Sequence, residues 1–194
     1  MAIMIKKGGR AMDREKCCCF TGHRPEKLPW GRNEQSPAFH RAMAAVEAAI
    51  IARIEDGCTW FYTGMARGMD LWAAQIVLKY RDLGAGEHLG VRLCAVLPCA
   101  DQAARWNRED QALHARVLAQ ADEKVVLATR YAPGCMQARN RYLVEHAGHV
   151  IALYDGRSPG GTRQTLELAR RAGLAATVID PAAPAFYPSL LGGE

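Results

Sequence analysis

The sequence predicts an α/β protein: a single-domain, Rossmann-like, doubly wound and mostly parallel sheet with helices on both faces. Three observations carry that prediction. Short β-type runs alternate with longer helical patterns along the chain, the arrangement that generates right-handed βαβ crossovers. The runs Val91–Leu97, Val125–Ala128 and Val150–Leu153 are almost wholly apolar, as strands covered on both faces are. Finally, 194 residues with 49% apolar and 23% charged side chains suffice for one sizeable core and are short for two domains.

The elements follow in order. Cys17–Thr21 is a first strand ending in Gly22-His23-Arg24-Pro25. After a loop holding Pro29, Gly31, Asn33 and Pro37, the segment Ala38–Asp56 repeats apolar residues every three or four positions (Phe39, Met43, Val46, Ile50, Ile54), which predicts a helix. Cys58–Thr63 is a second strand and Asp70–Arg81 a second helix; Gly84–Gly90 is a turn. Val91–Leu97 is a third strand stopped by Pro98, and Gln102–Ala121 is helical with a break near Trp106. Lys124–Thr129, Met136–Ala147, His149–Tyr154, Gly161–Ala172 and Ala175–Ile179 complete the alternation as strand, helix, strand, helix, strand. Residues 1–16 are expected to form a flexible leader, 17–180 the folded domain and 181–194 an unpacked tail rich in Pro and Gly.

The formal net charge of +5 permits an anionic partner without demanding one, and five of the basic residues (Lys6, Lys7, Arg10, Arg14, Lys16) sit in the leader. The seven cysteines include no CxxC pair, and Cys17, Cys18 and Cys19 are consecutive in a strand, where neighbours face opposite ways. Buried thiols in a reducing cytoplasm are therefore expected. The chain has no apolar segment long enough to span a membrane and no signal-peptide core at its N-terminus.

In such a sheet, ligands bind at the carboxyl ends of the strands near the switch in strand order. Glycine and arginine gather in the loops at that edge: Thr21-Gly22-His23-Arg24, then Gly64-Met65-Ala66-Arg67-Gly68-Met69-Asp70, then Gly160-Gly161-Thr162. A strand that turns through glycines into a helix presents free N–H groups and a positive dipole end to an anion, and Arg67 adds a charged fork suited to phosphate. Asp70 falls where a helix N-cap belongs. The GxGxxG fingerprint, the GxxxxGK[ST] loop, GxSxG and HExxH are all absent, and no metal-ligating cluster is visible.

Gly64–Asp70 with Ala73-Ala74 resembles a glycine-rich segment of the Smf/DprA DNA-processing proteins, and Gly160–Thr165 resembles the second glycine loop of the Smf/DprA–LOG (SLOG) superfamily. A fuller set of matches is similar to the YpsA-like branch of uncharacterised bacterial proteins. Its hallmarks are Phe20–Pro25, Tyr62–Asp70, Tyr131–Met136 with Arg139–Tyr142, and Gly160–Thr162, in order from about residue 17 to residue 180. The resemblance implies that Thr21, Gly22, His23 and Arg24, with Gly64, Met65, Ala66, Arg67, Gly68 and Asp70, and with Gly160, Gly161 and Thr162, hold a nucleotide or ADP-ribose-like ligand. It implies no other cofactor. It also draws attention to Glu167, which lies from Pro159-Gly160-Gly161 as the glutamate of LOG phosphoribohydrolases does, although Arg163 and Gln164 replace their Gly-Thr pair. Arg139, Asn140 and Arg141 share a helix, so only part of that trio can face one ligand.

Three functional readings follow. The first is binding of a nucleotide-derived small molecule by a sensor or regulator. The second is N-glycosidic cleavage of a nucleoside monophosphate, using Glu167 with Arg139. The third is binding of single-stranded DNA. A homodimer through the surface helices is left open, and no membrane partner is expected.

Overall fold

A computed structural model describes residues 13–83 and 90–184 and the backbone of 187–189. Residues 1–12 of the expected leader, most of the expected Gly84–Gly90 turn, and Gly192 and Gly193 lie outside the described residues.

Among the described residues seven strands form one sheet: β1 (Cys17–Gly22), β2 (Trp60–Thr63), β3 (Arg92–Leu97), β4 (Glu123–Val126), β5 (His149–Leu153), β6 (Ala175–Ile179) and β7 (Tyr187–Ser189). They lie in the order β4-β3-β2-β1-β5-β6-β7, and every pairing from β4 to β6 is parallel. Among the described residues five α-helices connect β1 through β6: α1 (Pro37–Glu55), α2 (Met69–Leu83), α3 (Arg108–Gln120), α4 (Cys135–His146) and α5 (Gly161–Arg171). The chain runs outward from β1 to β4 and then crosses back to β5 beside β1. The switch in strand order therefore falls between β1 and β5. Helices α1, α2 and α3 cover one face and α4 and α5 the other, which is the doubly wound arrangement.

The consecutive cysteines show the alternation directly. Cys18 packs under α1 and α2 with Phe20 and Phe61, whereas Cys17 and Cys19 face α4 and α5 with Tyr62 and Val150. Both layers are apolar because β1, β2, β3 and β5 lie in the sheet interior, and a strand there has no solvated face.

Three local expectations need correction. Part of the expected leader and part of the expected tail are ordered. Tyr187–Ser189 pairs antiparallel with β6, so the tail is not wholly unpacked: an open sheet edge offers backbone partners whatever the side chains are. At the other end, Arg14–Lys16 forms a 3-10 turn capped by Asp13, and Arg14 donates to the carbonyls of Val144 and Ala147 at the end of α4. Residues 99–106 form turns instead of the first part of a helix, and α3 begins only at Arg108, where the Asn107 side chain accepts from Asp110 N–H.

Candidate functional site

At the carboxyl end of β1 and β5 lies a cleft of about 500 Å³. Its walls come from the β1 end (Thr21, Gly22, His23, Arg24), the β5–α5 loop (Pro159, Gly160, Gly161, Thr162) and the first turns of α4 (Met136, Gln137, Arg139, Asn140). This is the switch point of the strand order, the position at which open α/β sheets place their ligands.

The β1 end is shaped by close approach. A side chain at Gly22 would overlap Met69, so glycine there lets α2 begin directly against the strand. His23 N–H continues the ladder to Leu153 O at 3.1 Å, and its imidazole is buried beside Tyr154, with ring centroids 5.2 Å apart. Its Nε2 stands 3.2 Å from Asp155 Oδ1, off the line of an ideal hydrogen bond. Asp155 is held by Arg157 N–H at 3.1 Å, Ser158 N–H at 2.9 Å and the Ser158 hydroxyl at 2.5 Å. Partial burial opposes its ionisation, but these donors outweigh it and hold the carboxyl well below the usual aspartate range. Arg24 is exposed at the cleft and makes no ion pair among the described residues.

The α5 end is the anion-accepting wall. Gly160 precedes the helix with φ +139°, a conformation open to glycine, and no side chain caps the first turn. The leading N–H groups are thus left for a ligand or water, with the positive end of the helix dipole behind them. Lys27 bends over the same mouth and donates from Nζ to Pro159 O at 2.9 Å.

The floor is a buried ion pair. Arg139 donates from Nη1 to Asp70 Oδ2 at 3.1 Å and to Gly64 O, and from Nε to Asn140 Oδ1 at 2.9 Å. Burial drives the Asp70 carboxyl up and the Arg139 guanidinium down from their ordinary values, and each partner's charge limits the other's shift.

The loop after β2 therefore has a different role from the one its composition suggests. Two of its N–H groups are engaged internally: Met65 N–H binds Thr63 Oγ1 at 3.2 Å and Ala66 N–H binds Asp70 Oδ2 at 3.2 Å. Asp70 is the second residue of α2 and the counter-ion of Arg139; it is not the helix N-cap. Gly64 is needed because any side chain would overlap Arg139, and Gly68 (φ +86°) because a Cβ would fall 2.6 Å from His23 O. Met65 is a core residue at φ +56°. Arg67 turns away from the cleft to Glu26 (2.7 Å) and Asp110 (3.3 Å), and lies over Trp106. Of this loop only Ala66 and Asp70 reach the cleft lining.

Glu167 also lies elsewhere. It pairs with Arg163 at 3.0 Å on the exposed face of α5, one helical turn apart, and does not line the cleft. Sequence reasoning missed Lys27, Gln137 and Gln164 as cleft residues and gave Asn140 no separate role. The signal for Asn140 was its place one residue after Arg139 at the start of a helix following β4, which only the strand order aims at β1. Among the described residues no group of three or more His, Cys, Asp or Glu side chains is placed to hold a metal ion, and no helix is long and apolar enough to cross a membrane.

Comparison with known proteins agrees with this architecture. A UPF0398 protein of Bacillus pumilus is 28% identical over 154 residues, covering 78% of this chain and 80% of that protein. A UPF0398 protein of Halalkalibacterium halodurans is 29% identical over 159 residues, covering 80% and 81%. Among solved structures, DNA processing protein A from Helicobacter pylori has a similar fold, with a TM-score of 0.53 at 14% identity; the match covers 84% of this chain and spans 65% of that one. The model of the YspA SLOG family matches residues 18–178, and the chain belongs to that family.

Proposed function

We propose that the protein binds a nucleotide-derived or otherwise phosphorylated small ligand in the switch-point cleft and acts as a sensor or regulator. The observation that carries this reading is the uncapped start of α5 facing the same cleft as Arg24 and Lys27. The carboxylates nearby are already engaged: Asp70 by Arg139, Glu26 by Arg67 and Arg32, and Asp155 by its own loop. The remaining balance is cationic and donor-rich, which suits a phosphate group. The cleft volume lies within the range of small-ligand sites, about 300–1,000 Å³.

The test is thermal unfolding with AMP, GMP, ADP-ribose and inorganic phosphate. At least one phosphorylated compound should raise Tm in a concentration-dependent way, and Arg24→Ala should reduce the shift. Arg67→Ala should retain it, because that side chain is committed to Glu26 and Asp110. A flat response across the panel overturns the proposal.

Single-stranded DNA is the second reading, favoured by the fold shared with DNA processing protein A, whose structure is described in terms of a single-stranded DNA binding mode. Exposed Arg24 and Lys27 would supply the first phosphate contacts. Affinity should then fall steeply as salt rises, since each neutralised phosphate releases counter-ions. A salt-insensitive complex excludes this mode. The N-glycosidic reading loses the glutamate that motivated it, because Glu167 pairs with Arg163 on the exposed face of α5 and does not line the cleft.

A further inference from the structure

The cleft offers donors at Arg24, Lys27, the Asn140 amide and the first turn of α5, while its carboxylates, Glu26 and Asp70, are each paired with an arginine. His23 is placed differently. Its imidazole lines the cleft while only 4% exposed, and Tyr154 packs on its ring. Nε2 is turned inward to Asp155, whose carboxylate is itself locked by Arg157 and Ser158. A carboxylate beside one ring nitrogen draws the proton there, so the neutral ring keeps its lone pair on Nδ1. Nδ1 accepts no hydrogen bond among the described residues.

We propose that His23, set by Asp155, is a specificity residue that accepts a hydrogen bond from a hydroxyl of the ligand. The ligand class is then a phosphate monoester whose organic half carries free hydroxyls, such as a sugar phosphate or a ribonucleotide. The inference rests on the phosphate-binding reading of the same cleft: the phosphate sits at α5 and Arg24, and the hydroxylated portion lies toward the β1 end. Asp155 acts through His23 and is a positioning residue. An apolar phosphate ester would bury the His23 acceptor unpaired, which is the physical basis of discrimination.

The test is titration calorimetry at pH 8. The probes are inorganic phosphate, ribose 5-phosphate and n-pentyl phosphate, which carries the same head group without hydroxyls. The unaltered chain should prefer ribose 5-phosphate over pentyl phosphate by about tenfold or more, the usual worth of one well-formed hydrogen bond. His23→Leu should abolish that preference and leave inorganic phosphate binding in place. His23→Asn, whose amide oxygen sits near the Nδ1 position, should restore part of it. An unchanged preference in His23→Leu, with inorganic phosphate still bound, overturns the role of His23 alone. Failure of all three probes to bind the unaltered chain overturns both this inference and the phosphate reading beneath it.

Discussion

At the residue scale, the governing feature is the Arg139–Asp70 pair under the cleft. Two opposite charges largely buried in protein are costly unless each is matched, and here Gly64 O, Ala66 N–H and Asn140 complete the set. Removing one partner leaves the other charge buried and alone. Arg139→Ala should therefore lower stability by about 3–5 kcal/mol in urea unfolding. Gly64→Ala should act on the same contact, because its methyl group would occupy the space of the Arg139 guanidinium. The double variant should then cost much less than the sum of the two single ones, the mark of a shared interaction. Additive costs would show that the glycine and the arginine act independently.

At the element scale, α5 divides into a functional first turn and a solvated outer face. Gly160 adopts φ +139° at the helix entrance, and Thr162 is buried at the cleft. Glu167 lies beyond them, paired only with Arg163 at the surface. Gly160→Ala should strain the backbone and reduce the phosphate-induced Tm shift, whereas Glu167→Gln should change stability by about 0.5 kcal/mol or less and leave the shift intact. Thermal unfolding with and without phosphate distinguishes the two. A lost ligand response in Glu167→Gln would return that residue to the site. The spacing from Pro159-Gly160-Gly161 to Glu167 is legible in sequence. The side of the helix on which Glu167 stands is decided by how α5 packs against β5 and β6.

For the whole molecule, pH and thiol chemistry report on the packing. His149 sits at the amino end of β5 with Nε2 2.9 Å from Thr177 Oγ1. Burial, aided by Arg53 and opposed by Asp56, pushes its imidazole down to about 4. The folded state thus binds this proton less readily than the unfolded chain, whose imidazole titrates near 6.5. Stability from this group is intact above about pH 6.5 and is lost as pH falls toward about 4. His149→Gln should flatten that part of the stability profile. Asp155 acts in a lower window: its carboxyl is depressed, so its contribution holds above about pH 4 and is lost on further acidification.

All seven cysteines are buried and free. Burial raises the thiols of Cys58 and Cys99 to about 12 and those of Cys18, Cys19 and Cys94 upward as well. A thiol reagent should find almost no fast-reacting cysteine in the native protein and seven in denaturant. A rapidly reacting native thiol would contradict the packing of the sheet.

The sequence by itself determined the alternation of strands and helices, the burial of both sheet faces and the glycine-bearing loops at the carboxyl edge. These are local matters: periodicity, apolar runs and backbone freedom are properties of neighbouring residues. Only the tertiary structure decided which loops meet. The return of the chain from β4 to β5 brought the β5–α5 loop and the start of α4 against β1. The same packing turned Arg67 outward to Glu26 and Asp110 and drew Arg139 inward to Asp70. Both arginines are long, charged side chains beside glycine-rich turns. What separates them is which carboxylate lies within reach, and that depends on contacts across 41, 43 and 69 positions of chain.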